Sequence, residues 1–169
     1  ASAGAALRAI ALTAARAAAP ALAAAFRTPD AAATTKRNHH DLVTVHDRAT
    51  EDALIAALTA AVPGSAVLGE ETGTTAASTD GVGAEGAPRV RWIVDPIDGT
   101  SNFTHGFAMF SISIAAEVDG EVVAGVVVDP ANGLEFSADD AGAWLGEARL
   151  PLRAAPAGDE RALNLVTSY

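Results

Sequence analysis

The stretch Arg91-Trp-Ile-Val-Asp-Pro-Ile-Asp-Gly-Thr-Ser-Asn102 leaves the backbone few courses to follow. Arg91–Val94 is apolar and β-branched enough to read as a buried strand. Asp95 then stands at the strand's end, and Pro96, which has no backbone donor, predicts a stop there. Asp98 is expected on a tight bend instead of the opposite sheet face. Gly99 permits a turn or a close backbone approach, and Thr100-Ser101-Asn102 reads as the capped start of a short helix. Two carboxylates thus lie beside backbone N–H groups at a helix N-terminus. Carboxylate oxygens suit a hard cation such as Mg²⁺, and the N–H groups suit a phosphate. The pair points to metal-assisted hydrolysis of a phosphate ester. Taken alone, Asp-Pro and Asp-Gly are also ordinary turn signals that need no ligand.

The flanking chain predicts an α+β fold, with helices packed on an antiparallel meander. Ala5–Phe26 reads as a helix with Leu7, Ile10, Ala14 and Ala18 on one stripe; Pro20 either kinks it or opens a second segment. A second helix is expected to run to about Ala61 and stop at Pro63-Gly64, with Thr44 as N-cap and Asp47 as the acidic partner of a capping box. Ala66–Leu68 is a short strand ending in Gly69-Glu70-Glu71-Thr72, a sequence common in solvated turns. Residues 73–89, rich in glycine and small polar residues, read as a flap or a surface insertion. Phe110–Val118 and Glu121–Asp129 form a hairpin through Asp119-Gly120. Strands at Leu134–Ser137, Ala143–Leu145 and Leu163–Thr167 follow, with Phe136 and Trp144 expected in the core.

At 169 residues the chain is one domain's worth, able to bury a core unaided. It has no cysteine, which removes thiolate metal sites and disulfides and fits a reducing cytoplasm. A formal charge of −10 disfavours nonspecific nucleic-acid binding. The N-terminal apolar run, broken by Arg8, Arg16 and Pro20, is read as too short for a membrane span and lacks a signal-peptide layout. His39, His40 and His46 invite a zinc reading, but they lack the i,i+4 spacing of a helical site.

Extended to Phe103 and His105, the run W-I-V-D-P-I-D-G-T-x-N-F-x-H resembles the signature of the inositol monophosphatase family of Mg²⁺-dependent, lithium-sensitive phosphatases. K-x4-D-L-V-T-x2-D, from Lys36 to Asp47, matches a second family segment, and Gly69-Glu70-Glu71 a third. The resemblance implies the N-terminal part of a layered αβαβα sugar-phosphatase fold. It implies Glu70, Asp95 and the Ile97 carbonyl on one Mg²⁺ (Mn²⁺ being a possible substitute), with Asp95 and Asp98 on a second. Thr100 and Asp47 would orient the attacking water, with Glu71 beside it. Gly99, Thr100 and Ser101 would hold the phosphate, and Lys36 matches the pattern without a catalytic role.

The implied substrate is a small phosphate monoester: inositol monophosphate or, within the same chemistry, histidinol phosphate, fructose bisphosphate or phosphoadenosine phosphate. A homodimer in the cytoplasm is implied, with no nucleic-acid or membrane partner. A noncatalytic module that keeps the fold is the reading from another class. Two departures stand out. Ala108 replaces a usual proline, and nothing after Thr100 matches the W-D-x-A-x-G segment of the family's second half. Residues 1–169 are therefore expected to be the N-terminal metal-binding domain without the C-terminal α/β half, binding one metal weakly and turning over poorly alone.

Overall fold

The computed structural model describes residues 2–27, 39–75 and 89–151. The loop at 28–35, Lys36, most of the 73–89 stretch and the strand expected at Leu163–Thr167 lie outside them. Helix α1 spans Ala3–Arg27 and α2 spans His39–Ala61. The strands are β1 (Ala66–Gly69), β2 (Gly73–Thr75), β3 (Val90–Asp98), β4 (Ser111–Val118), β5 (Glu121–Asp129), β6 (Leu134–Asp139), β7 (Gly142–Leu145) and β8 (Ala148–Arg149). A short helix, α3 (Thr100–Thr104), joins β3 to β4. The sheet order is β2-β1-β3-β4-β5-β6-β7-β8. Only the β1–β3 pair is parallel among the described strands, and β2 lies between the two in the chain. The fold is α+β, as expected, with β2 and β8 added.

Alanine, the best intrinsic helix former, carries α1. Leu7, Ala11, Ala14, Ala15, Ala18 and Leu22 bury one stripe of it against the sheet and α2. The small side chains let helix and strands approach closely. Pro20 lies inside this single helix on its exposed side, so it neither ends the helix nor starts another. In length and composition α1 is apolar enough to cross a membrane, contrary to the expectation from its interruptions. In this fold that apolar stripe is spent on the sheet.

Helix α2 begins five residues before Thr44, at His39. Thr44 is therefore not its N-cap, and Asp47 belongs to the helix body and not to a capping box. Leu54 and Leu58 are fully buried. Beyond Ala61 the chain leaves the helix through Pro63 and Gly64, where φ is +83°.

Strand alternation puts Trp92 and Val94, Ile112 and Ile114, and Val126 and Val128 into the core with the helices. The Trp92 indole N–H donates to the Ser65 hydroxyl at 3.1 Å, which satisfies its one polar atom in the interior. On the other face Val127 and its cross-strand partner Phe136 are each 38% exposed, so Phe136 is not a core residue. Trp144 is only half-buried, with the Arg8 guanidinium 4.1 Å above its ring. The β4–β5 turn is the hairpin expected: Asp119 and Gly120 both have positive φ, at 52° and 95°, which matches the right-handed twist of the strands.

Candidate functional site

Strand β3 does not stop at Asp95. It runs through Pro96 to Asp98, against the expectation of a break, because the sheet accommodates the proline at an irregularity. Asp95 pairs with Ser113 and Asp98 with Ser111, so β3 carries one residue more than β4 over this interval. Pro96 and Ile97 are buried inside that bulge. The Ile97 N–H donates to Asp95 Oδ1 at 3.1 Å, so the ladder loses no unsatisfied donor. The extra residue re-aims the strand end and presents both Asp95 and Asp98 next to α3.

Gly99 starts α3 with φ +90° and ψ 36°, and no side chain caps the helix. Thr100 is thus the first helical residue and not a capping group. Gly99 meets both requirements read from the sequence. Its φ favours glycine, and a Cβ there would stand 2.8 Å from the Met109 carbonyl oxygen. The Asn102 and Phe103 N–H groups donate to the Gly99 carbonyl at 2.8 and 3.1 Å. The Thr100 and Ser101 N–H groups stay outside the helix's own ladder.

A five-residue helix has little stability of its own. Here it is anchored by aromatic packing. Phe103 meets Phe110 edge-on at 4.9 Å, and Phe26 of α1 lies 4.9 Å from Phe110 and 5.9 Å from Phe103. The His46 ring is 6.0 Å from Phe103, so His46 takes part in this packing.

The third segment is the turn after β1. Glu70 and Glu71 are exposed there, and Glu51 of α2, which the sequence reading passed over, is fully buried behind them. Glu51 Oε2 accepts the Glu71 N–H at 3.0 Å, and Oε1 accepts the Thr72 N–H at 2.9 Å and the Thr72 hydroxyl. A Cβ on Gly69 would come within 2.5 Å of the Glu51 carboxyl carbon. The available signal was its spacing: Glu51 follows Asp47 by four residues, one helical turn along the same face. Asp47 is itself 3% exposed.

The electrostatics bring the segments together. Burial, then the charge of Glu70, a hydrogen bond with Glu70 and the charge of Asp98, push the Asp95 carboxyl up to about 7, against a smaller lowering from the Ile97 N–H. Burial, then the charges of Glu71, Glu70 and Glu51, push Asp47 up to about 7 as well. Glu70, Asp95 and Asp98 are therefore neighbours, with Asp47, Glu71 and Glu51 on the α2 side. The ion pairs found among the described residues, Arg8–Asp139, Arg16–Glu135 and Arg91–Glu117, involve none of these acids.

The Thr100 hydroxyl donates to the Ile97 carbonyl at 2.8 Å. Among the described residues no three His, Cys, Asp or Glu side chains stand in finished ligating positions. What fits a hard divalent cation is the donor chemistry: oxygen-only, anionic, crowded enough to hold protons near neutrality, and without an arginine ion pair among the described residues.

The chain is similar to several known proteins. A Nus factor SuhB of Pseudomonas aeruginosa is 40% identical over 129 residues, 76% of this chain and 45% of that protein. An inositol-1-monophosphatase of Mesorhizobium japonicum is 40% identical over 111 residues, 65% of this chain and 39% of that one. Inositol monophosphatase-II of Staphylococcus aureus MSSA476 matches in structure with a TM-score of 0.65 at 32% identity, over 86% of this chain and 52% of that one. SaIMPase-II has also been solved with inositol monophosphate bound and with 2'AMP bound; both match with a TM-score of 0.62. The chain thus spans about half the length of the relatives it matches. The family match takes in α1 as well as the signature and the meander: with residues 5–169 fitting the model of the Inositol monophosphatase family, the chain belongs to that family.

Proposed function

We propose that the protein of which this chain is a part hydrolyses a small phosphate monoester with the help of a divalent cation, Mg²⁺ or Mn²⁺. One observation carries the reading: Glu70, Asp95 and Asp98, from two separate segments, lie close enough that burial and the charges of Glu70 and Asp98 push Asp95 up to about 7, and none of them pairs with an arginine among the described residues. Glu70, Asp95 and the Ile97 carbonyl would hold one cation, and Asp95 with Asp98 a second. When bound, the cation would screen the phosphate and acidify a water. The Thr100 hydroxyl, 2.8 Å from the Ile97 carbonyl, would turn from that acceptor to orient the water. Asp47, buried and raised, would accept the proton, directly or through Thr100. Glu71 lies beside Asp47, and the Gly99, Thr100 and Ser101 backbone amides would take the phosphate oxygens.

Inositol monophosphate is the substrate we favour, since related proteins carry that name and SaIMPase-II has been solved with that ligand. The binding of 2'AMP to SaIMPase-II supports small phosphorylated ligands as a class. Residues 1–169 would form the N-terminal metal-binding domain, weak in metal and slow in turnover until joined by a second half. A homodimer, inhibition by lithium and a cytoplasmic location complete the reading. The test is a panel of phosphate monoesters offered to the full-length protein with Mg²⁺. Rates that depend on Mg²⁺ and fall with Li⁺ are expected; no hydrolysis of any ester at saturating Mg²⁺ would end it. The relatives named Nus factor SuhB favour a second role for the parent protein, as such a factor. An Asp95→Asn variant that keeps that role while losing hydrolysis would separate the two.

A further inference from the structure

Resting on the reading above, we infer that Glu51 is a positioning residue: it fixes the turn that presents Glu70 and so sets the affinity of the site for its cation. Three observations carry this. Glu51 is 0% exposed, yet its carboxylate faces no arginine or lysine among the described ion pairs. A buried carboxylate must be compensated by hydrogen bonds, and Glu51 takes all of those shown from one turn: the Glu71 N–H, the Thr72 N–H and the Thr72 hydroxyl. Gly69 leaves the space that the carboxylate fills.

The geometry explains why the turn needs help. Strand β1 pairs with β2 only over Val67–Gly69, and Glu70–Thr72 bridges from Gly69 to Gly73, which has φ +68°. Three exposed residues, two of them acidic, have little packing to define one conformation. Glu51 supplies it from a rigid helix. Its bonds go to two backbone N–H groups and to the Thr72 hydroxyl. Because Asp47 stands one turn earlier on α2, the same helix sets the place of Asp47 and, through Glu51, of Glu70. Glu51 touches neither cation nor substrate in this account. It acts through the turn.

The test uses the full-length protein and Mn²⁺ or Mg²⁺ alone as the probe. Glu51→Gln turns one acceptor into a donor facing a backbone N–H. It is expected to weaken cation binding by calorimetry about ten- to a hundredfold, the usual effect of losing a group that orients a ligand. Activity should return at saturating cation, with KM for the ester unchanged. Amide hydrogen exchange at Glu71 and Thr72 should speed up while exchange in β4 stays as it was. Thr72→Val, on an exposed residue, tests the same link if Glu51→Gln fails to fold: a two- to threefold loss of cation affinity is expected on the order of one hydrogen bond, restored by Thr72→Ser. Unchanged cation affinity in Thr72→Val and in any folded Glu51→Gln would overturn the role of Glu51 alone. Absence of cation binding by the wild-type protein would overturn the underlying reading instead.

Discussion

Acidic side chains live under opposite conditions at two places in this molecule. On the side where α1 crosses β6, Asp139 and Glu135 each have an arginine. Arg8 donates to Asp139 at 2.8 Å and to Ser137 at 3.1 Å while stacking on Trp144, and Arg16 makes a two-pronged contact with Glu135. Burial pulls the Asp139 carboxyl up, but the Ala141 N–H, Arg8 and the Gly142 N–H outweigh it and hold it below its ordinary value. The Arg16 hydrogen bond holds Glu135 low against a smaller pull from burial. At the ends of β1 and β3 the acids pair with no arginine among the described residues, and Asp47 and Asp95 rise to about 7. One group of acids serves as a clasp; the other is charge held in reserve.

The contrast breaks hardest at Asp95. In the full-length protein Asp95→Asn is expected to lower kcat/KM on the order of a thousandfold, the several kcal/mol that metal assistance supplies, while the cation-free protein melts no lower than wild type. Loss of activity together with a large fall in Tm would mean that Asp95 is structural.

The pH response sharpens the comparison, because the slopes are opposite. Asp47 and Asp95 have folded pKa values raised from the ordinary 3.8 to about 7. The folded state therefore binds more protons across that interval, and the stability they contribute is present below pH 4 and lost as the pH rises toward 7. Cation-free protein should melt lower at pH 8 than at pH 5. Saturating Mg²⁺ should remove most of that difference, adding about 2.7 kcal/mol at a hundredfold excess over Kd. Asp139 and Glu135, held low, contribute stability that is present above their ordinary values and lost only in acid. A scan showing no cation-dependent gain at pH 8 would leave the two groups of acids equivalent.

On the clasp side, Arg8→Ala removes charged hydrogen bonds and the contact with Trp144. Tm should fall by roughly 5 °C with cation affinity unchanged in calorimetry. Arg16→Ala removes a pair whose arginine side chain is 56% exposed. Such surface pairs are worth about 0–1 kcal/mol, so Tm should move by no more than about 2 °C.

Local chemistry announced much of this. The Asp119-Gly120 hairpin needs only two residues able to take positive φ, and alternation set β4 and β5 to within a residue. Gly99 was legible because its two constraints are local. Pro96 misled, since whether a missing donor ends a strand depends on the partner: β4 lets β3 bulge there. Phe136 and Trp144 misled because an apolar side chain in a strand does not reveal whether anything covers that face. Thr44 looked like a cap only because the sequence upstream gave no strong helix signal.

By itself the sequence determined most of the elements and the family, because periodicity, turn chemistry and a long motif act over neighbouring residues. Which acids meet was decided only by the tertiary structure. The parallel β1–β3 pairing and the seat of α2 bring Glu70, Asp95 and Asp47 together across more than forty residues of chain, and a buried Glu51 holds the intervening turn. Mutual repulsion and burial depend on distance through space, and spacing along the chain carries no record of either.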